Sequence, residues 1–121
     1  MSINVKRIYD APARGDGYRV LVDRVWPRGI RKDDAELDEW LKEAAPSTAL
    51  RKWFAHDPAK WAEFKRRYFQ ELAADTEVHE ALADLRRRAR RRPVTLLFGS
   101  RETRHNNAVA LKEYLEQTPE S

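Results

Sequence analysis

Two short, largely apolar runs, YRVLV at residues 18–22 and VTLLF at 94–98, are separated by a long stretch in which helical periodicity dominates. No other feature constrains the fold as much. Strands that share a sheet across a helical crossover run parallel, whereas antiparallel partners are joined by short turns. Parallel strands are covered on both faces and therefore read as continuous apolar runs. VTLLF is such a run. Residues 18–23 form a second strand, with Tyr18, Val20 and Val22 on one face and Leu21 on the other. A third strand is expected over residues 3–9, where Ile3, Val5 and Arg7 alternate with Asn4, Lys6 and Ile8.

The remaining segments carry helix signals. Asp34 caps an expected helix that sets Leu37, Trp40, Leu41 and Ala44 on one face. Pro46 stops it, and Ser47 caps a short helix through Phe54. Asp57 and Pro58 open the next, with the proline at the first helical position, where a missing N–H costs nothing. Its core stripe is Trp61, Phe64, Tyr68 and Leu72. A fourth helix, from about Thr76, buries Val78, Leu82, Leu85 and Ala89 and ends at Pro93. The last is expected from about Thr103, packing Ala108, Leu111 and Leu115, and the tail QTPES is expected to fray. No repeat or linker divides the chain, so residues 1–121 read as one domain. The expected fold is a small layered α/β one, with a short, mainly parallel sheet of about three strands flanked by about five helices.

Composition narrows the chemistry. The 121 residues include no cysteine, which excludes disulfides, thiol nucleophiles and thiolate metal sites and points to a cytoplasmic setting. No stretch approaches the ~20 apolar residues of a membrane span, and the start has no secretory pattern, so no membrane partner is expected. The net charge of +4 favours acidic partners, whether nucleic acid, nucleotide or phosphorylated metabolite. His56, His79 and His105 lack ligand spacing such as HxxxH, so no metal is assigned. The one arrangement left open is Mg²⁺ on Asp23 or Asp10 together with a phosphate substrate. No cofactor is indicated.

Parallel sheets bind ligands beyond the carboxyl ends of their strands. The strand at 18–23 releases DRVWPRG there, and the strand at 94–98 releases GSRETRHNN. The expected site therefore gathers Arg24, Arg28, Arg101, Ser100 and Asn106 as anion-binding groups, with Trp26 as an aromatic wall. Arginine forks match carboxylate and phosphate. Asp23, His56 and His105 are the candidates for proton transfer or for orienting it. Each has a plain structural alternative: Asp23 and Arg24 paired with neighbours, Trp26 as cover for the core edge, and His56 as a structural residue just before a helix cap. Arg104 and His105 in the first turn of a helix would oppose its dipole, which an anion, a carboxylate partner or simple tolerance would explain. LRRRARRRP carries six arginines between residues 86 and 92. They surround all but the Leu82–Leu85–Ala89 face and sit at a helix end that favours cations, so a solvated end is expected, with phosphate contact as the alternative.

Three segments, DGYRVLVDRVWPRG, APSTALRKWFAHDPAKWAEFKRRY and VTLLFGSRETRHNNAVAL, resemble the YeaO-like family grouped under domain of unknown function 488. The resemblance covers about residues 3–116. It implies a bacterial cytoplasmic protein with a compact α/β domain and supplies no established reaction. The family pattern falls on Asp23, Arg24, Trp26, Pro27, Arg28 and Gly29, then on Pro46, Ser47, Leu50, Arg51, Trp53, Phe54, His56, Asp57 and Pro58, and last on His105 and Asn106. Broader relatives carry cysteines around the final strand and the helix after it, where this chain has Phe98 and the residues near His105. A thiol mechanism is therefore out of reach for it. The acid usual near position 102 is Asp in this family; Glu102 lengthens the reach. Two readings stand side by side. One is an enzyme acting on a phosphorylated or carboxylated small molecule or nucleotide; the other is a non-catalytic nucleic-acid-binding or regulatory module.

Overall fold

The computed structural model describes residues 1–117, so residues 118–121 of the expected fraying tail lie outside the described residues. Its strands are β1 (Ile3–Arg7), β2 (Tyr18–Leu21), β3 (Glu39–Trp40) and β4 (Val94–Phe98), and its helices are α1 (Lys32–Ala35), α2 (Thr48–Phe54), α3 (Trp61–Ala74), α4 (Thr76–Arg91) and α5 (Asn107–Gln117). The sheet order is β1-β4-β2-β3, and every pairing is parallel. All five residues of β4 are buried, as expected of a strand with neighbours on both edges, and its one polar side chain, Thr95, donates its hydroxyl proton to Asp16 O at 2.7 Å. β2 lies directly beside β4, with Tyr18 opposite Val94 and Leu21 opposite Leu97.

The alternation expected in β2 separates the two sides of the sheet. Val20 and Val22 join Leu96 and Phe98 in the larger core, which the apolar stripes of α2 to α5 complete. Leu21 and Leu97 face the other way, under Ala35, Trp26, Ile30, Leu37 and Trp40. That second face is roofed mainly by the irregular segment after β2. At its other end lies a buried charge network. Arg19, 5% exposed, contacts Asp16 at 2.5 Å and donates to the carbonyls of Ala35 and Glu36 at 2.9 and 3.0 Å. Lys6 Nζ closes on the Asp16 carboxylate at 3.1 Å. Asp16 is thereby held below its ordinary pKa: burial pushes it up, but the Ala13 N–H, Lys6 and Arg19 outweigh that push.

The structure departs from the sequence expectation in two places. The helix expected from Asp34 is one turn long. It ends at Glu36, whose φ of 47° is left-handed, and the chain continues as β3, so the sheet has four strands where about three were expected. Leu37 and Trp40 pack on one side of the sheet, Leu41 and Ala44 on the other, so their helix-like spacing serves two cores. Backbone bonds from Asp38 N to Arg19 O and from Leu41 N to Leu21 O fix this edge. The final helix begins at Asn107, not near Thr103. Glu102 accepts from the N–H groups of Arg104 and His105, and Asn106 Oδ1 caps Val109 N at 3.0 Å. Arg104 and His105 thus precede the helix and do not oppose its dipole from within.

Candidate functional site

Parallel pairing brings the carboxyl ends of all four strands to one rim, and a cleft of about 390 Å³ opens there. From the end of β2 it takes Asp23, Arg24, Trp26 and Arg28; from β1, Tyr9; from β4, Gly99 and Ser100; from α2 and the turn after it, Arg51 and His56; and before and at the start of α5, Asn106 and Asn107.

Asp23 is the floor. Its Oδ2 accepts from Gly99 N at 2.8 Å and its Oδ1 from Asn107 Nδ2 at 3.0 Å, while Asn107 Nδ2 also donates to Val22 O at 2.9 Å. One carboxylate thus ties the ends of β2 and β4 to the first turn of α5. Gly99 packs closely here: a Cβ would lie 3.2 Å from Asp23 Oδ2, close enough to press on the carboxylate, and 3.6 Å from Pro27 Cβ. Burial raises the Asp23 pKa, and the bonds from Asn107 and Gly99 and the charges of Arg51 and His56 only partly oppose the rise.

The walls are pinned from behind. Arg24 donates to Ala45 O at 2.9 Å and Pro46 O at 3.3 Å, joining the end of β2 to the entry of α2. Trp26 Nε1 donates to Ile30 O at 2.7 Å across a turn that Gly29 closes with φ 80°, and its ring meets Trp40 edge-on at 5.3 Å. Tyr9 donates its hydroxyl proton to Arg28 O at 2.7 Å, and Arg7 lies over the Tyr9 ring while donating to Ser100 O at 2.9 Å. The Arg28 side chain is exposed at the rim. His56 borders the cleft from an unusual backbone: Ala55 and His56 both take left-handed φ, 46° and 57°. Each such non-glycine residue costs roughly 1–2 kcal/mol, a cost the surrounding packing must offset.

Two expected site residues do not line the cleft. His105 turns to Glu102, 2.9 Å from Nδ1 to Oε1, and rests edge-on against Trp61 at 5.3 Å. The Glu102 carboxyl is held at about 2 by the His105 N–H, the His105 ring and the Arg104 N–H. Arg101 is exposed, beyond the lining residues. The cleft therefore brings together Asp23, Arg24, Trp26, Arg28, His56, Ser100 and Asn106. Among the polar side chains of the lining, Tyr9, Arg51 and Asn107 were not among the expected site residues.

The sequence profile described as "Inactive DUF488-N3 subclade" matches residues 2–121. The chain belongs to the YeaO-like DUF488 family. It is 46% identical over 115 residues to the uncharacterized protein YeaO of Escherichia coli, covering 95% of this chain and 97% of that one. It is 42% identical over 113 residues to the uncharacterized proteins Mb3100c of Mycobacterium bovis and Rv3073c of Mycobacterium tuberculosis, covering 93% of this chain and 92% of each. No solved structure matches.

In this DUF488 domain the cleft combines three guanidinium groups, Arg24, Arg28 and Arg51, with one carboxylate. Arg24 spends donors on backbone carbonyls, which leaves Arg28 and Arg51 the freer pair. Ser100, Asn106 and His56 add neutral hydrogen-bonding groups. Among the described residues no three His, Asp or Glu side chains are grouped to hold a metal, and no helix is long and apolar enough to cross a membrane.

Proposed function

We propose that the domain is a binding module that takes a small molecule bearing a carboxylate or phosphate into the cleft at the strand ends. The observation that carries this reading is the convergence of Arg28 and Arg51 on a recess whose only carboxylate among the described residues, Asp23, already accepts from Gly99 N–H and Asn107. A cleft with surplus guanidinium charge attracts an anion, and planar forks orient it. Ser100 and Asn106 supply hydrogen bonds beside the anion, and Trp26 forms an apolar side. Asp23 serves the cleft as a positioning residue, holding its floor in shape.

Binding without turnover is favoured because the family profile that matches is described as "inactive", and the absence of cysteine removes thiol chemistry. His56 and Asp23 border the same cleft and so support a second reading, an enzyme acting on the same class of molecule. No hydrogen bond joins these two among the described residues, which leaves the base without an orienting partner.

The test is titration of the ¹⁵N-labelled chain with inorganic phosphate and with citrate. Shifts are expected at the Gly99, Ser100 and Asn106 amides, with affinity falling about tenfold in Arg28→Ala and in Arg51→Ala, the loss of one charge-assisted contact each. Millimolar phosphate and citrate that leave those amides unmoved would sink the proposal.

A further inference from the structure

The amino ends of β2 and β4 lie at the opposite rim of the sheet, where the arginines of α4 collect. They are not all a solvated helix end. Arg86 is buried, donates through Nε to Leu115 O at 3.2 Å and lies 5.9 Å from the Tyr114 ring. Arg87 and Arg88 share Asp84 at 3.6 and 2.9 Å, and the Arg88 guanidinium lies over the Tyr18 ring at 4.1 Å. Arg91 and Arg92 are exposed and make no side-chain hydrogen bond or ion pair among the described residues. Two open concavities flank this end of the helix. One, of about 440 Å³, is lined by Arg87, Arg88, Arg90, Arg91 and a single acid, Asp84. The other, of about 430 Å³, includes Tyr18, Arg88, Arg91, Arg92 and a single acid, Asp38. Arg88 and Arg91 line both, so the two adjoin.

We infer that this double trough is a docking surface for single-stranded nucleic acid, gripped by its phosphates. A helix C-terminus is complemented by cations within its last turn. Five exposed arginines, of which Arg91 and Arg92 have no carboxylate partner among the described residues, exceed that need. All are arginine, whose fork matches phosphate oxygens, and Arg87 and Arg91 stand one turn apart, about 5–6 Å along the axis. That spacing lets successive phosphates be held by successive turns. Shape favours a single strand over a duplex. Duplex readers push a helix or ribbon into a groove, whereas here the charges line recesses beside the helix. The guanidinium of Arg88, backed by Tyr18, offers its outer plane to an unpaired base. This surface is separate from the proposed anion cleft and does not depend on it.

The test is fluorescence anisotropy of a labelled oligothymidylate about 15 nucleotides long with the full chain. Binding is expected in the micromolar range at about 50 mM salt, weakening as salt rises by about 0.7 log units per decade for each phosphate held. The triple variant Arg87→Ser, Arg91→Ser, Arg92→Ser is expected to bind at least about tenfold more weakly and to lose about two units of that slope. Arg92→Glu alone, at an exposed position, is expected to weaken binding in the same direction, while Arg28→Ala and Arg51→Ala leave it unchanged. Four results each overturn the inference: no binding at low salt, an unaltered triple variant, a duplex of equal length binding as well or better, or polyglutamate competing as well as the oligonucleotide.

Discussion

Asp23 offers the sharpest check on how the cleft is built. Replacing it with Ala leaves Gly99 N–H and one Asn107 amide hydrogen without their acceptor at a half-buried point. Each unsatisfied donor costs about 1–3 kcal/mol, and removing a carboxyl that burial has made hard to ionise returns part of that. A net loss of roughly 1–4 kcal/mol is expected at neutral pH. Asn107→Ala removes the same shared bond and the donor to Val22 O, so its cost should be of similar size. Because one bond is counted in both, the double variant should fall short of the sum by about 1 kcal/mol or more, measured by urea denaturation. The pH dependence has a definite sign. A carboxyl with a raised folded pKa contributes stability that is complete below its unfolded value of 3.8 and is lost as pH rises through the folded value. The deficit of Asp23→Ala relative to the parent should therefore shrink as pH rises from below 3.8 toward neutrality. Additive single variants, within about 0.5 kcal/mol, would refute the shared bond and with it the tie between β2, β4 and α5.

Asp16→Ala should cost about 3–5 kcal/mol in chemical denaturation, because it leaves the buried Arg19 guanidinium without its carboxylate. Phe64→Ala, at a nearly fully buried ring stacked on Phe54 at 4.3 Å, should cost about 3–5 kcal/mol, whereas Arg28→Ala should stay within about 0.5 kcal/mol; equal denaturation midpoints would contradict this division. Glu102, held at about 2 against an ordinary 4.5, contributes stability present above 4.5 and lost as pH falls toward 2. The advantage of the parent over Glu102→Gln should accordingly vanish across that window in acid-denaturation curves.

The parts of the fold legible in the sequence were those where one residue pattern serves one environment. VTLLF is largely apolar because both its faces are covered, and in YRVLV Tyr18, Val20 and Val22 serve one core and Leu21 the other, while Arg19 joins the buried charge network. The stretch from Leu37 to Ala44 was misleading because its i, i+3, i+4, i+7 spacing serves both sides of the sheet, and a Glu at left-handed φ carries no sequence signal. Placement of DRVWPRG, Ser100 and Asn106 at one rim followed from parallel topology alone. Arg51 lay hidden in a helix whose aromatic neighbours read as core, and only the approach of α2, fixed by Ser47 bonding Glu71 of α3, brings it to the cleft. Asn107 lies at the end of GSRETRHNN, the segment expected at the rim, but nothing in the sequence singled it out from its neighbours. What separates Arg101 and His105 from the cleft lining is local too: Glu102 gathers the N–H groups that follow it and turns the His105 ring toward Trp61.

The place of β4 bears on how the chain acquires its shape during synthesis. The last strand made is an interior one, with β1 on one edge and β2 on the other, and Ile3 waits for Val94. Until residue 98 has emerged, β1 has no partner and β2 can pair only with the two residues of β3. Such long-range pairing slows folding and leaves strand edges open to intermolecular contact. The helices between, rich in local contacts, can form earlier, but their apolar stripes have no sheet to cover. Ribosome-bound chains halted before Val94 should remain protease-sensitive throughout, and protection should arrive in one step once β4 slides between its two neighbours.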